Sequence, residues 1–507
     1  MKIIILLLTI TTLSNPIFSQ NENLWSKNFG GTEFDQINGA KIKSNNNLIV
    51  TGYTDSKDFD FEQNQGFSKI FLSEINDEGE VLMTKTYGGS SFDIGWDVIE
   101  VPNEGYMIVG ETFSSDGDIN TTNNSGDGVI IKTDLQGEII WLKTYGGSNN
   151  DFLTNIHASD NGYIITGTSE SSDNDLVNTD DANFWVFKID YDGDVLWSKK
   201  YGNSYNGSSD ISEITKNGDI LLGGLLYNPQ SNNTNIYLVR LDNEGNEIWT
   251  FEIGGNNGDF IESICEADNG DILISAQSYS DDIDNLDTFG SSDIIVASLT
   301  SMGEIKWIKS YGDEGLDLRS RIAATPNGNL YLLFTRGELG INEPGSTDNI
   351  GLSNMRLLEI NSTGSIINQE EFGGSSQDLV SELIVKDNVL TIIANTVSRD
   401  GDIGNNYGSY DGWISQYKIM TSSISENIPS LNVKIFPNPF IDNVTIDSES
   451  IILRFELYDS LGKLIQNVNN PNQRQITINT DDLSNGIYHI KCTNTEGITT
   501  AKLICGR

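Results

Sequence analysis

The stretch YGGSNNDFLTNIHASDNGYIITGTSESSDNDLVNTDDANFWVFKIDYDGDVLWSKKYG, residues 145–202, decides the fold. Four apolar, β-rich runs lie in it: Phe152–His157, Tyr163–Thr168, Phe184–Ile189 and Val195–Lys199. Between them stand Asn, Asp and Gly clusters such as Asp160-Asn161-Gly162 and Asp192-Gly193. These residues cap their own backbone or accept a left-handed conformation, as tight turns require. The stretch opens on Tyr145-Gly146-Gly147, with Asp151 six positions after the tyrosine.

That opening recurs. Phe29-Gly30-Gly31, Tyr87-Gly88-Gly89 and Phe372-Gly373-Gly374 repeat it in full, and Tyr201-Gly202, Ile253-Gly254-Gly255 and Tyr311-Gly312 repeat it in part. Successive landmarks are 58, 58, 56, 52, 58 and 61 residues apart. Each is followed by an Asp: Asp35, Asp93, Asp151, Asp210, Asp259, Asp317 and Asp378, of which only Asp210 departs from the six-residue spacing. Four short strands at such a period are the pattern of β-propeller blades. The first strand-like run, Leu24–Lys27, is of the fourth type, and the last repeat stops after its third strand at Trp413–Ile419. Joining the two ends completes a seventh blade and removes an open sheet edge. The expectation is therefore an all-β chain: a seven-bladed β-propeller of four-stranded blades with a composite closing blade, then a small Ig-like β-sandwich.

Composition narrows the function. The 507 residues hold 73 Asp+Glu against 30 Lys+Arg, a formal charge of −43. This sign opposes a nucleic-acid partner, whose phosphates are bound through Lys and Arg, and an anionic membrane surface. Residues 426–507 carry nine acidic and seven basic side chains, so nearly all of the charge belongs to the repeats. Three cysteines (Cys265, Cys492, Cys505) form no disulfide framework, and a two-residue turn at Glu496-Gly497 would set Cys492 opposite about position 501 rather than 505. With two histidines, His157 and His489, His-rich zinc sites are excluded.

The ends of the chain carry an address. Met1-Lys2, the apolar run Ile3–Leu13 and a small, polar stretch to Gln20 read as a secretory signal peptide cleaved near Gln20. The apolar run is short of the roughly 20 residues a membrane span needs. The domain plan is signal peptide 1–20, propeller 21–420, a Pro-containing linker 421–430 (TSSISENIPS spans 421–430) and a C-terminal strand-rich domain 431–507.

In that last domain stand Phe436-Pro437-Asn438-Pro439-Phe440, Leu457-Tyr458-Asp459 with Leu461-Gly462-Lys463, Leu483-Ser484-Asn485-Gly486-Ile487-Tyr488, and Lys502-Leu503-Ile504. It resembles the type A sorting domain of the Bacteroidetes type IX secretion system. The resemblance rests on Pro437, Asn438, Pro439, Gly462, Lys463, Gly486 and Tyr488, and implies recognition by the export machinery at the outer membrane. It further implies passage through the periplasm to a secreted or outer-membrane-surface location. The repeats, with GYIITG (162–167) and FWVFKID (184–190), resemble long-period propeller repeats of bacterial secreted and surface proteins. That second resemblance speaks to fold and little to activity.

Where a ligand would bind follows from loop lengths. The long connections between second and third strands share one face with the landmark loops, and long loops on a rigid scaffold commonly carry binding. Those loops hold Asp116-Gly117-Asp118, Asp173-Asn174-Asp175, Asp282-Ile283-Asp284 and Asp400-Gly401-Asp402. Alternate carboxylates could chelate Ca²⁺, although Asx capping of the loop explains the same residues and is the favoured reading. No cofactor is required.

Four of the six arginines of the repeats (Arg319, Arg321, Arg336, Arg356) fall in the sixth. Arg321 stands four residues after its Asp, where other repeats have Gly39, Asp97, Asn155, Ile214, Ser263 and Glu382. A channel-facing Arg there could orient a carboxylate-bearing or sugar ligand. The candidate ligand-binding set is thus Arg319, Arg321, Arg336, Asp97 and Asn155, with Asp97 and Glu382 as an acid/base pair for glycoside chemistry. Recurrent Trp25, Trp141, Trp197, Trp249 and Trp307 read as blade-to-blade packing rather than a sugar platform. The sequence favours a monomeric, non-catalytic exported protein binding a surface glycan or protein. The rival is a secreted polysaccharide-acting enzyme.

Overall fold

Central strands with near-continuous apolar runs must be covered on both faces, and the structure shows how. It is a computed structural model that describes residues 22–62, 64, 68–119, 126–173, 184–202, 211–228, 233–283, 286–337, 353–419, 433–436, 443–459, 464–480, 483, 486–494 and 498–505. The leader with Gln20, the linker 421–430, Pro437, Asn438, Pro439, Gly462, Lys463, Asp175, Asp210 and Asp284 lie outside the described residues.

Contacts divide the chain into two units, Met1–Ile419 and Met420–Arg507. In the first unit the described residues form seven four-stranded antiparallel sheets. Their first strands are Asp35–Ile42, Asp93–Val101, Asp151–Ser159, Ile211–Ile214, Asp259–Glu266, Leu316–Ala324 and Asp378–Lys386, here numbered blades 1 to 7. Each first strand packs on that of the next blade, and Asp378–Lys386 packs on Asp35–Ile42, so the series closes on itself. Blade 7 is composite: Asp378–Lys386, Val389–Thr396 and Asp411–Lys418 are completed by Glu22–Phe29, with Trp25 opposite Gln416 and Phe29 opposite Gly412.

Second and third strands are buried along nearly their whole length, as in Gly105–Thr112 and Asp293–Leu299, because neighbouring blades cover both faces. Ile393 and Ile414 of blade 7 thereby join Phe29, Ile37 and Phe71 in one apolar cluster. Fourth strands are half-exposed at the rim, and there the Trp–Lys–Tyr repeat finds its use. Tyr87, Tyr145, Tyr201 and Tyr311 each donate a hydroxyl to a carbonyl in the next blade's short turn (Gly137, Gly193, Gly245 and Gly364), at 2.7, 2.8, 2.5 and 2.8 Å. Lys143, Lys199 and Lys309 add bonds to the same turns. The Trp25, Trp141, Trp197, Trp249 and Trp307 rings cover the short-turn glycines Gly79, Gly193, Gly245, Gly303 and Gly364, so closely that a Cβ on Gly303 would meet Trp249 at 3.0 Å. The tryptophans are blade-to-blade latches.

The landmark also resolves into chemistry. The Asp93 carboxylate accepts the Gly89 N–H at 2.7 Å, Thr112 Oγ1 at 2.5 Å and Ser114 Oγ at 2.8 Å, tying the loop to the first and second strands. Asp35, Asp151, Asp259 and Asp378 repeat the arrangement. Gly146, at φ 146°, must be glycine: a Cβ there would lie 2.5 Å from Asp151 Oδ2.

The second unit holds one five-stranded sheet, Val433–Phe436, Asn443–Asp459, Leu464–Asn479, Gly486–Asn494 and Ile498–Cys505. Its apolar cluster centres on Ile446, Phe455, Leu457 and Tyr488. Cys492 pairs with Thr499 and Cys505 with Gly486, so the hairpin register differs by two residues from the sequence expectation and keeps the two cysteines apart.

Candidate functional site: the central channel

First strands line the axis of the ring, and a one-residue bulge re-aims six of them. Register shifts fall immediately before Gly39, Asp97, Asn155, Ser263, Arg321 and Glu382. In blade 4 the equivalent residue is Ile211, opposite Gly223, and not Ile214, which lies three residues further along. Ile211 stands ten residues after Tyr201, as the row residue does after every other landmark aromatic; Gly207 occupies the six-residue position, and counting from Asp210 displaced the assignment. Two residues beyond this row come Lys41, Ile99, His157, Glu213, Cys265, Ala323 and Ile384, a second row that repeats no residue type beyond isoleucine.

Charges from blades that are not neighbours meet here. The Lys41 ammonium lies 3.7 Å from Asp97 Oδ1 and is held well above the usual lysine range by Asp97, despite burial, with help from Glu382 and Glu213. These carboxylates come from blades 2, 7 and 4, which can share one cation only across the axis. Burial raises Glu213 to about 7, with Lys41 opposing and Asp97 and Glu382 reinforcing. Asp97 is likewise raised by burial, against the pull of Lys41. Its oxygens also accept the Val98 N–H at 2.9 Å and the Ile156 N–H of blade 3 at 3.2 Å. Arg321 bonds the Glu262 carbonyl at 3.0 Å and Glu382 Oε1 at 3.3 Å. His157 is pushed down to about 3 by burial and Lys41, and rests on Ser212 Oγ at 2.8 Å. Burial pushes the Cys265 thiol up to about 12, so it is a wall and not a nucleophile.

The structure therefore brings Asp97, Asn155, Arg321 and Glu382 to one channel, where the Asn155 Oδ1 is buried without a partner. Arg319 adopts a left-handed conformation at φ 52°, and burial raises the nearby Glu262 carboxyl against the pull of Arg321 and, less, of Arg319. Arg336 is elsewhere: it pairs with Asp313 and approaches Glu371 at 3.9 Å on the long-loop side of blade 6. Lys41, Glu213 and Glu262 escaped the sequence reading. The available signal was the position two beyond the recurring row, where the residue type changes from blade to blade.

The loop aspartates are engaged with backbone. Asp116, Asp173, Asp282 and Asp400 each accept an amide N–H of a landmark loop, from Ser90, Ser148, Asn256 and Ser375 at 2.6 to 2.8 Å. Asp118 and Asp402 accept those of Gly88 and Gly373 at 3.2 and 3.3 Å. The amide of Ser90 holds the Asp116 carboxyl below its usual range. On this face, between blades 1 and 2, an open groove of about 970 Å³ is lined by Lys57, Lys69, Asp58, Asp116 and Asp118 among others.

Comparison with known proteins bears on the tail first. Residues 434–506 match the family of secretion system C-terminal sorting domains. The tail is a type IX sorting domain. The chain is thus a secreted or cell-surface protein whose tail engages the secretion machinery. Among the described residues no helix is long and apolar enough to cross a membrane. No curated protein matches the chain. Among solved structures it is similar to a puromycin hydrolase (TM-score 0.45, 9% identity, 82% of this chain and 59% of that one). It is also similar to the Neurospora crassa Pan2 WD40 domain (0.45, 9%, 80% and 98%). A third is the β-propeller domain of the Pyrococcus furiosus Trilobed protease (0.39, 8%, 76% and 96%). The chain spans 59% of the length of the puromycin hydrolase it matches.

Proposed function

We propose that this exported propeller is a non-catalytic binding protein, acting as a monomer after loss of its leader, and that it takes a polar ligand in the central channel from the long-loop side. The observation that carries the reading is the contrast between seams and channel. Latches and landmark carboxylates recur from blade to blade, as packing demands, whereas the two channel rows place Lys41, Asp97, Asn155, Glu213, Arg321 and Glu382 once each. Such a lining offers an ammonium, a guanidinium and an unpaired amide oxygen to a ligand with carboxylate or hydroxyl groups, such as an acidic or neutral glycan or a protein side chain. Asp97, already accepting two backbone amides and pairing with Lys41, has little freedom as a catalytic base.

One feature favours the rival enzyme. Glu213, raised to about 7, has the protonation a general acid needs at neutral pH. A glycan and peptide array, read for the parent chain and for Lys41→Ala and Arg321→Ala, tests the binding reading; unchanged signals in both variants would sink it. Hydrolysis of polysaccharide that disappears in Glu213→Gln would replace it with the enzyme.

A further inference from the structure

One position recurs at every junction between blades: the third-strand residue just before the partner of the next landmark's aromatic. At five of the junctions it is Lys69 in blade 1, Asn235 in blade 4, Asp293 in blade 5, Asn354 in blade 6 and Asp411 in blade 7, whereas in blade 2 it is Asp127, which has a partner of its own. Each sits beside the landmark loop that leads into the following blade. In the first junction the Lys69 ammonium fills the space, donating to the Gly89 carbonyl and partly offsetting the burial that raises the Asp93 carboxyl. In the other four the side-chain Oδ1 points into the same space, buried and without a donor.

The junction of blades 5 and 6 goes further. Asp293 is 5% exposed and Asp317 fully buried, and the Oδ1 atoms of both lack partners. Elsewhere the landmark Asp is served by a Thr or Ser directly opposite it, such as Thr54, Thr112 or Ser278. Opposite Asp317 stands Arg336, which turns away to Asp313. A Cβ on Gly312 would collide with both carboxylates, so they approach one point of the backbone. The charges around them are Asp313 and Glu371, negative, and Arg336 and Arg356, positive, which pair among themselves. Among the described residues no cation pairs directly with Asp293 or Asp317, and Arg356 only partly offsets the burial and the Asp313 and Asp293 charges that raise the Asp317 carboxyl. The closing junction is different, because the Asp35 oxygens there are already filled by Gly31, Thr54 and Ser56.

We propose that the junction of blades 5 and 6 binds one hard divalent cation, of the Ca²⁺ class, between Asp293 and Asp317, bracing the ring where its own chain supplies no donor. Among the described residues no three Asp, Glu, His or Cys side chains converge to hold a metal. The cation takes two carboxylates, with backbone carbonyl and water oxygens as the rest of its shell, which suits the weak extracellular class of site at roughly 10⁻⁴–10⁻³ M. Lys69 shows what such a cation does, since it is a covalently tethered, singly charged cation at the equivalent junction.

Equilibrium dialysis of the full chain against ⁴⁵Ca²⁺ should give one site, and millimolar Ca²⁺ should raise Tm by roughly 2–4 °C over chelator. Asp317→Asn should lose both effects. Asp293→Lys, which transplants the Lys69 solution, should bind no Ca²⁺ yet melt in chelator no lower than the parent does. Absence of stoichiometric binding, stabilisation by acid alone without bound cation, or a Ca²⁺ response that survives Asp293→Lys would each overturn the proposal.

Discussion

If the ring is closed by its first strand, Phe29 is the residue on which closure depends. Its ring is fully buried, packed edge-on to Phe61 at 5.3 Å between centroids and tilted on Phe71 at 5.6 Å. It reaches across the closing junction to Ile393 and Ile414. Phe29→Ala removes a side chain whose burial at such sites is worth about 3–5 kcal/mol, because the surrounding rings of blade 1 cannot collapse into the space. The loss falls on the one blade whose sheet is held by hydrogen bonds between distant ends of the chain, Glu22–Phe29 on Asp411–Lys418. The variant should therefore lower the urea midpoint. It should also make the N-terminal segment the first site of proteolytic nicking, and the exposed Asp411–Lys418 edge should promote association. Phe372→Ala, at the same landmark position but within a continuous blade, should cost a similar energy without early cleavage near residue 22. Equal cleavage patterns for the two variants, or a Phe29→Ala midpoint within error of the parent, would refute the closing role.

Tyr145→Phe leaves the Gly193 carbonyl without its donor and should cost about 1–3 kcal/mol by urea unfolding. Burial raises Glu111, Glu213, Asp317 and Asp411 to about 7, so the folded chain holds more protons than the unfolded one above about pH 4. Stability in chelator should accordingly fall as pH rises from 4 through 7 and level off above, with a shallower slope in Glu111→Gln; a flat or rising Tm over that window contradicts the burial of these groups. Arg321→Ala should weaken ligand capture on the array by tenfold or more while Arg336→Ala leaves it unchanged. Truncation after Thr421 should trap the chain in the periplasm, as cell fractionation would show.

The ring was legible because its two signals are local and repeated. Aromatic-Gly-Gly with Asp six residues on is a backbone device, and six of the seven copies keep the carboxylate at that spacing, so spacing alone exposes it. The composite blade followed from Leu24–Lys27 being a fourth strand without a first. The channel was only half legible. Counting from the landmark Asp found Asp97, Arg321 and Glu382. Counting ten residues from Tyr201 reaches Ile211, but the count slipped in blade 4, where Gly207 replaces the carboxylate at the six-residue position and Asp210 was counted in its place. It also stopped at one row, although Lys41 and Glu213 lie only two residues further along strands already identified. Arg336 misled for a different reason: sequence clustering with Arg321 does not imply shared space, because residues on first and second strands at opposite ends of a sheet diverge. The loop aspartates were read as ligands or caps, and their bonds to Ser90, Ser148, Asn256 and Ser375 show the physical work each carboxylate does.

A propeller built from near-identical blades has a charge problem that its sequence solves unevenly. Each described landmark Asp is buried where it ties its loop to two strands, and burial raises the carboxyl in Asp35, Asp93, Asp259 and Asp378 even with three or more donors in place. Hydroxyl donors at the facing strand are therefore a condition of using carboxylates as hinges at all. Blade 6 breaks that condition by putting Arg336 opposite Asp317, and the break falls in the blade that also supplies Arg321 to the channel. Substituting a donor by a long cation frees the Asp317 oxygen and ties the guanidinium to Asp313. The result is a junction whose tightness depends on solutes rather than on covalent neighbours, in the blade whose arginine holds Glu382 of the next blade. Cation binding at Asp317 and ligand capture at Arg321 are read out on the same strand, Leu316–Ala324, four residues apart. Coupling between the two is then a matter of one strand's position: Ca²⁺ should sharpen ligand affinity in the parent chain and have no effect on it in Asp293→Lys.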